Sequence, residues 1–529
     1  MKDKRVRYGL YAVIFFGLFS HVMPYLYHRS LWVDEARLAS SVVNRTLWTL
    51  AASPLDAGQS APVGYLYVVK LLSLAFGTGE AALRLWSLLS FFGCVIVFHR
   101  ILRQVVKTDY RLYYTALLAV LPVYIYYGNE LKPYMSDCFF VLLAIWLYGL
   151  YQERRCGLGA LTAAYALLLW FSFAAVFYIA GGMILIGLGM LRESVRDEDG
   201  RKRFLRALPY CFLVLISFIA NYVFWLSATS GNAEGQGYWA LVRFPLIPTG
   251  LSDLRLMAQI FSQMLMPFGI FRLIAALLSV SKAVRCVRRR YVSPTDLHIL
   301  AGTVILLAAS WLGFYPIQDR LVLFVSVTLL LFAVSELEEL AGLLLRRQGL
   351  RGGCLLRGGC LLLFLVCMLG DLRYWRPGGV YMVGSETAGS LNYLEEHKTD
   401  EDMIYVRNEA IPAFLYEKNY PWGDVDLVYE TPLVKDDCIL GQPTFAYDYQ
   451  VAYSYEGKTV EEAVLEDAAL IEAYDSVYIY TSHEIAEKKE DTQALLNVLK
   501  RSGTVETVSC YYETYLYHYR KGQTGEERK

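Results

Sequence analysis

The stretch Leu31-Trp32-Val33-Asp34-Glu35-Ala36-Arg37 directly follows the first long apolar run of the chain. It places two adjacent carboxylates where a membrane helix should leave the bilayer. Charged groups at that depth are costly unless they are paired or face water, so Asp34 and Glu35 are candidates for function. The alternative is a solvated loop, or the acidic first turn of a helix that lies at the membrane surface.

The composition indicates a polytopic membrane protein. The chain has 529 residues, of which 56% are hydrophobic and only 19% are charged, and long apolar stretches recur through most of it. Lys+Arg and Asp+Glu balance at 50 each, so no net field favours nucleic acid as a partner. The cysteine spacing does not resemble a zinc site.

The loop charges predict the topology. Basic residues before the first span, at about 8–27, place the N-terminus in the cytoplasm and Asp34-Glu35 outside. The next apolar run, 62–76, is short and contains Lys70, so it is either a second span or a helix on the outer surface. A surface helix keeps the basic cluster of 99–111 in the cytoplasm. We therefore predict a juxtamembrane helix in the first outer loop.

With a surface helix at 62–76, the chain has about eleven predicted transmembrane helices, and its basic loops lie in the cytoplasm. We expect the protein in the inner cell membrane. Ten spans follow the first, at about 81–102, 112–127, 135–151, 157–171, 173–192, 207–228, 254–281, 297–315, 320–345 and 355–371.

The composition changes after about residue 376 to that of a soluble domain. Apolar runs at 403–407, 476–480 and 504–519 predict strands, and amphipathic patterns predict helices at 409–418, 460–473 and 485–501. We expect a transmembrane module over 1–376 and a small extracytoplasmic α/β domain over 377–529. Cys438 and Cys510 are candidates for a disulfide there, although their spacing does not show that they are close. His483, in a loop of this domain, is expected at the surface.

Three further polar stretches share the predicted outer side, namely Gln59–Pro62, Tyr126–Tyr134 and Tyr315–Arg320. Carboxylates can act as a general base or bind a metal, and Arg or Lys can hold a phosphate. The set suits a phosphate-linked substrate whose lipid tail lies in the membrane. The alternatives are structural: an ion pair of Glu130 with Lys132, a turn with a snorkelling Arg320, and a structural Arg84.

In their order and sidedness, these stretches resemble the GT-C glycosyltransferases that use polyprenyl-phosphate sugars. In particular, they resemble protein O-mannosyltransferases, the lipid A aminoarabinose transferase and RgtA–D-like enzymes. The resemblance covers about residues 8–330 and is carried by Trp32–Glu35, Ser60–Tyr67, Phe76–Trp86, Tyr126–Tyr134 and Tyr315–Arg320.

The resemblance implies the roles of the site residues. Asp34 would be the general base or would orient the acceptor, Glu35 would support it, and Glu130 would line the same cavity. Lys132 and Arg320 would hold the donor phosphate. The remaining candidates for the substrate cavity are Ser60, Tyr65, Tyr134 and Gln318. The resemblance assigns no cofactor; a divalent metal ion, if one binds, would use Asp34 and Glu130.

The sequence departs from this family at three places. Many relatives have Pro-Pro or His-Pro-Pro where Ser60-Ala61-Pro62 stands, an arginine in place of Lys132, and a histidine near Ser172. These differences leave the acceptor and the metal open.

The predicted function is transfer of a sugar, with inversion, from a polyprenyl-phosphate donor to an extracytoplasmic lipid, glycan or protein. One alternative is a transporter or flippase of a lipid-linked sugar, and another is a non-catalytic protein of envelope assembly. A transporter would favour ionisable residues near the middle of the bilayer, whereas the notable charges here lie at helix ends.

Overall fold

The computed structural model describes residues 4–522 except for internal gaps at 28, 54, 56–58, 107–109, 227–242, 289–292, 376–386, 408–409, 419–432, 436, 442–458, 485 and 512. Within the described residues, seven helices are long and apolar enough to cross a membrane. They are α1 (Lys4–Leu26), α5 (Glu80–Val105), α8 (Tyr134–Gln152), α10 (Ala175–Ser194), α11 (Glu198–Asn221), α14 (Pro294–Trp311) and the first part of α15 (Leu323–Asp371).

The predicted spans that are not among these seven are interrupted or short. The span at 112–127 is divided into α6 (Arg111–Ala119) and α7 (Val123–Tyr127), because Pro122 cannot continue a helix. The span at 254–281 bends between α12 (Leu251–Met264) and α13 (Arg272–Arg288), where Gly269 has a φ of 51°. The span at 157–171 shortens to α9 (Leu158–Leu168).

The helix α15 is continuous by its backbone hydrogen bonds, yet its two ends meet the same neighbours. The Ser326 and Tyr124 hydroxyls are 2.8 Å apart, and a Cβ on Gly370 would lie 3.1 Å from Pro122 Cγ. A straight helix would separate Ser326 from Gly370 by about 65 Å. The two parts of α15 must therefore run in opposite directions, as predicted for the last two spans.

Three short helices form the first predicted outer loop: α2 (Val33–Asn44), α3 (Leu47–Ala52) and α4 (Val63–Phe76). The 14 residues of α4 span about 21 Å, less than the roughly 30 Å core of a bilayer. Its first half is buried against α2, α3 and α5, and it leaves Leu71, Leu74 and Phe76 exposed. This geometry agrees with the predicted juxtamembrane helix.

The C-terminal domain is a six-stranded sheet between two layers of helices. The sheet order is β2-β3-β1-β4-β6-β5, in which β3, β1 and β4 are parallel. The strands are β1 (Met403–Val406), β2 (Leu433–Lys435), β3 (Cys438–Leu440), β4 (Ser476–Ser482), β5 (Gly503–Tyr511) and β6 (Thr514–Lys521). The helices α16 (Thr387–His397) and α17 (Ile411–Glu417) cover one face, and α18 (Val460–Glu472) and α19 (Ala486–Leu499) cover the other.

Most predicted elements of this domain are present, with two differences. The short strands β2 and β3 and the helix α16 were not predicted, because each is too short or too weakly patterned to stand out. The candidate disulfide is wrong: Cys438 lies in β3 and Cys510 at the far edge in β5, and neither forms a disulfide. Three strands separate them, a distance of about 19 Å, whereas a disulfide needs Cα atoms within about 7 Å. The predicted domain boundary near residue 377 falls outside the described residues.

Close packing of α1 against α6 depends on a glycine. A Cβ on Gly17 would overlap the Ala119 carbonyl oxygen, whereas a Cβ on Gly9 would meet nothing within 4 Å. We expect Gly17→Ala to destabilise the protein by about 1–3 kcal/mol, because the helices must move apart. Thermal unfolding in detergent would measure this.

The matched control is Gly9→Ala, which adds the same methyl group to the same helix. It should be neutral or stabilise the protein by up to about 1 kcal/mol. Equal unfolding temperatures for the two variants would contradict this account of the packing.

Candidate active site

The carboxylate of Glu35 is completely buried and has five hydrogen-bond donors around it. Arg84 donates to both of its oxygens at 2.8 Å, and Arg29 donates to Oε2 at 3.1 Å. The backbone N–H groups of Leu131 and Trp32 donate at 2.7 and 3.2 Å. Glu35 therefore has no oxygen left for a substrate, and its role is to join α2, α5 and the segment before α8.

The charges around Glu35 keep it ionised. Burial alone would raise the pKa of Glu35, but the guanidinium groups of Arg84 and Arg29 outweigh it and hold the pKa below its ordinary value. Arg84 is itself buried and also donates to the carbonyls of Arg29 and Ser30. The structural alternative for Arg84 is therefore correct.

Asp34 lies beside Glu35 in the first turn of α2 but has different surroundings. Arg320 donates to its Oδ2 at 2.9 Å, and Arg37 lies 3.7 Å from its Oδ1. Its side chain is 17% exposed, whereas that of Glu35 is not exposed at all. Burial raises the pKa of Asp34, but the positive charges of Lys132, Arg320 and Arg37 more than offset this and lower it. Asp34 is thus an accessible carboxylate that stays charged.

Arg320 is held by aromatic rings as well as by Asp34. Its guanidinium carbon lies 5.5 Å from the ring centre of Trp32 and 5.8 Å from that of Tyr134. A cation held over aromatic faces keeps its charge and its orientation. With 34% of its side chain exposed, Arg320 can still offer N–H donors to a ligand.

Lys132 also acts on Asp34 through its charge, and it is buried. Its ammonium donates to the amide oxygen of Gln59, in the segment that precedes α4. Burial lowers the pKa of Lys132, and the negative charge of Asp34 opposes this. The structure thus brings together three outer stretches that are far apart in sequence, around Asp34, Lys132 and Arg320.

Glu130 is buried within the same group of charges. One of its oxygens, Oε2, has no hydrogen-bond partner among the described residues. Burial, and next the negative charge of Glu35, raise the pKa of Glu130 to about 7, although Arg320 and Arg29 oppose the shift. Glu130 is therefore the carboxyl of the site whose charge responds most readily to its surroundings.

The four residues predicted to line the substrate cavity differ in their burial and in their position relative to Arg320. Tyr134 packs against Arg320, and Tyr65 is fully buried beneath the site, within electrostatic range of Glu130 and Glu35. Ser60 is exposed next to Gln59, and Gln318 precedes the short 3₁₀ turn that carries Arg320.

The site does not have the donors of a metal centre. Over the described part of the chain, no three His, Cys, Asp or Glu side chains form a group that could hold a metal ion. Asp34 directs its oxygens at two guanidinium groups, which leaves Glu130 as the one acidic side chain here with an unused oxygen. The donor set at Asp34 and Glu130 therefore does not fit a divalent ion, and no step is derived from one.

Sequence reasoning missed two contributors. Arg29 completes the Glu35 cluster, and the signal was its place between the first apolar run and Asp34. His483 was expected at the surface, but it is largely buried, and Arg37, Glu35 and Asp34 act on it. No local signal could find this placement, because it depends on how the C-terminal domain docks.

Glu35 should contribute strongly to stability. Glu35→Gln leaves Arg84 buried without its counter-charge, so we expect a loss of about 3–5 kcal/mol in the free energy of unfolding. The control is Glu153→Gln, which breaks an exposed pair with Arg155 and should change the free energy by less than about 1 kcal/mol. Thermal unfolding of both variants in detergent measures the difference. Similar losses in the two would show that the Glu35 cluster is not a structural centre.

The stabilisation by Glu35 should also depend on pH. The pKa of this carboxyl is lower in the folded protein than its ordinary 4.5, so its contribution is complete above about pH 4.5 and is lost as the pH falls further. We expect the unfolding temperature of the wild-type protein to fall more steeply on acidification than that of Glu35→Gln. Parallel curves for the two proteins would contradict this linkage.

Comparison with known proteins establishes the fold. No protein-family model and no curated protein matches the sequence. Solved structures do match: ArnT from Cupriavidus metallidurans bound to undecaprenyl phosphate has a TM-score of 0.54 and 13% identity, with 98% of each chain covered. The apo state of ArnT matches with a TM-score of 0.53 and 13% identity, over 96% of this chain and 97% of that one.

A second protein shares the fold. The apo oligosaccharyltransferase from Archaeoglobus fulgidus has a TM-score of 0.54 and 12% identity, over 99% of this chain and 75% of its own. ArnT, an aminoarabinose transferase, and this oligosaccharyltransferase both belong to the GT-C superfamily. The predicted fold class is therefore confirmed: the chain is a helical membrane protein with the GT-C fold and a small α/β domain.

Proposed function

We propose that this chain is an integral-membrane glycosyltransferase that moves a sugar from a polyprenyl-phosphate donor to an acceptor outside the cytoplasm. One observation carries the proposal: an accessible carboxylate, Asp34, lies in direct contact with a partly exposed cation, Arg320, while Lys132 lies close by. Such a transfer needs a carboxylate that can take the proton of the acceptor. It also needs cationic groups next to that carboxylate, to stabilise the leaving phosphate.

The cations supply the donor side of the reaction. Arg320 and Lys132 would bind the phosphate, whose negative charge rises as the bond from the anomeric carbon to the phosphate oxygen breaks. The solved ArnT structure of the same fold holds undecaprenyl phosphate, which supports a donor of this class.

Asp34 supplies the acceptor side. The acceptor oxygen would form its bond to the anomeric carbon from the face opposite the phosphate, so the configuration inverts. The proton of the acceptor would pass to Asp34, and polyprenyl phosphate would leave with the electron pair of the broken bond. The 17% exposure of the Asp34 side chain favours it over the buried Glu130, which is 1% exposed.

The contact between Asp34 and Arg320 also links binding to reaction. An arriving phosphate would compete with Asp34 for the guanidinium N–H groups of Arg320. As Arg320 turns to the phosphate, the pKa of Asp34 would rise, because one of the charges that lower it is engaged elsewhere. The carboxylate would thus become a better base when donor is bound.

The experiment is sugar transfer by the purified protein in lipid, with a panel of radiolabelled polyprenyl-phosphate sugars and an envelope extract as acceptor. Label that moves into an acceptor would support the proposal. Label that crosses proteoliposome membranes without a new glycosidic bond would overturn it in favour of a transporter.

The two central residues should differ in their effects on kinetics. Asp34→Asn keeps the shape of the side chain but removes the base, and we expect transfer to fall by about 10²–10⁴-fold with donor binding preserved. Arg320→Ala should weaken donor binding and also slow transfer, by about 10²–10³-fold, because less positive charge then stabilises the leaving phosphate.

The control is Glu506→Gln, at an exposed carboxylate in β5 of the C-terminal domain. Its transfer rate should equal that of the wild-type protein. Full transfer by a well-folded Asp34→Asn protein would remove Asp34 from the reaction.

A further inference from the structure

His483 lies at the edge of the C-terminal sheet where the parallel strands end. It follows β4 directly and has a φ of 59°, one of three positive values among the non-glycine residues that the structure describes. A conformation of this kind is uncommon outside glycine and persists only when the surroundings favour it. In open α/β sheets, the carboxyl ends of parallel strands are where binding groups collect.

The same edge of the sheet faces the active-site helix α2. The helix α17, which follows β1, packs against α2, and its Ala413 shares an apolar cluster with Leu38 and Ala39 of α2. The Tyr416 hydroxyl of α17 donates to the Thr78 carbonyl at 2.7 Å. The C-terminal domain is therefore docked directly over the helix that carries Asp34.

The imidazole of His483 lies within electrostatic range of the charged groups of α2. Its Nδ1 lies 2.9 Å from the Ser482 hydroxyl, and the charges that act on it are those of Arg37, Glu35 and Asp34. Burial, and next the positive charge of Arg37, lower the pKa of His483 to about 4. The imidazole is thus neutral at physiological pH and can lie against a guanidinium without repulsion.

Arg37 is the group through which His483 can affect the catalytic carboxylate of Asp34. It lies one helical turn after Asp34 and approaches Asp34 Oδ1 at 3.7 Å, with 28% of its side chain exposed. Arg37 is the second guanidinium within ion-pair distance of Asp34, beside Arg320. If Arg320 turns to a donor phosphate, Arg37 remains to fix the orientation of the carboxylate.

We propose that His483 is a positioning residue of the active site, which packs against Arg37 and holds its guanidinium beside Asp34. The inference rests on the proposed function and deepens it. The C-terminal domain then forms one wall of the catalytic site, and its docking determines the geometry of the base. The step that depends on His483 is the alignment of the acceptor, whereas the donor phosphate is held by Arg320 and Lys132.

The test compares three variants: His483→Ala, His483→Asn and Tyr416→Phe. Asn tolerates a positive φ and keeps a neutral polar side chain, so it is the conservative replacement. Tyr416→Phe removes a hydrogen bond from the same domain interface without touching Arg37, so it is the control for docking.

We expect His483→Ala to lower kcat/KM for the acceptor by roughly 10- to 100-fold, since a displaced catalytic group costs a factor of this size. The Kd for polyprenyl phosphate should not change. His483→Asn should restore most of the rate, and Tyr416→Phe should stay within about twofold of the wild type. Equal losses in all three variants, or an equal loss in donor binding, would overturn the proposal.

A double-mutant cycle with Arg37→Gln locates the effect. We expect His483→Ala to have little further effect on transfer in the Arg37→Gln background, because both changes remove the same support of Asp34. Independent, multiplying losses would overturn the assignment to Arg37.

The same cycle measured by thermal unfolding does not require activity, and so separates the two proposals. If the wild-type protein transfers no sugar, the proposed function fails. Non-additive unfolding temperatures would still support the contact of His483 with Arg37, and additive ones would overturn it.

Discussion

The buried ion pair of Glu35 with Arg84 is the constraint on which the site depends. A carboxylate without any exposed surface is stable as an anion only when its counter-charges are fixed and its lone pairs are used. Glu35 meets both conditions by drawing Arg84 from α5, Arg29 from the end of the first span and the Leu131 N–H from the segment before α8. Four parts of the chain are thereby fixed relative to one another.

The position of the neighbouring carboxylate, Asp34, follows from that of Glu35. Because Glu35 fixes the first turn of α2, the side chain of Asp34, about 100° away around the helix axis, lies among the positive charges of Arg320, Lys132 and Arg37. One acidic residue is thus structural and the other is accessible. The proposed chemistry needs both: a stable frame that tolerates the cost of burying charge, and a charged side chain that a substrate can reach.

Much of the candidate site could be predicted from the sequence, because the side of the membrane on which a loop lies follows from its local composition. Lys132 and Arg320 lie far from Asp34 along the chain, yet counting basic loops placed all three on one side. What failed has two sources, namely breaks inside helices at a single proline or glycine, and long-range packing. Pro122 and Gly269 interrupt predicted spans, and the separation of Cys438 from Cys510 follows from a strand order that no local pattern encodes.

The same reason explains why His483 was assigned to the surface. A histidine that follows a strand has the same sequence pattern whether its loop faces water or another domain. Only docking of α17 on α2 places it within electrostatic range of Arg37. The division of roles between Asp34 and Glu35 was also beyond the sequence, since adjacent carboxylates differ only through the partners that folding brings to them.

The central claim, that Arg320 forms a lipid-phosphate site next to Asp34, is tested most directly by native mass spectrometry of the purified protein with polyprenyl phosphate that carries no sugar. The account predicts that the wild-type and Asp34→Asn proteins bind the lipid and that Arg320→Ala binds it at least about tenfold more weakly. Equal binding by Arg320→Ala and the wild-type protein would contradict it.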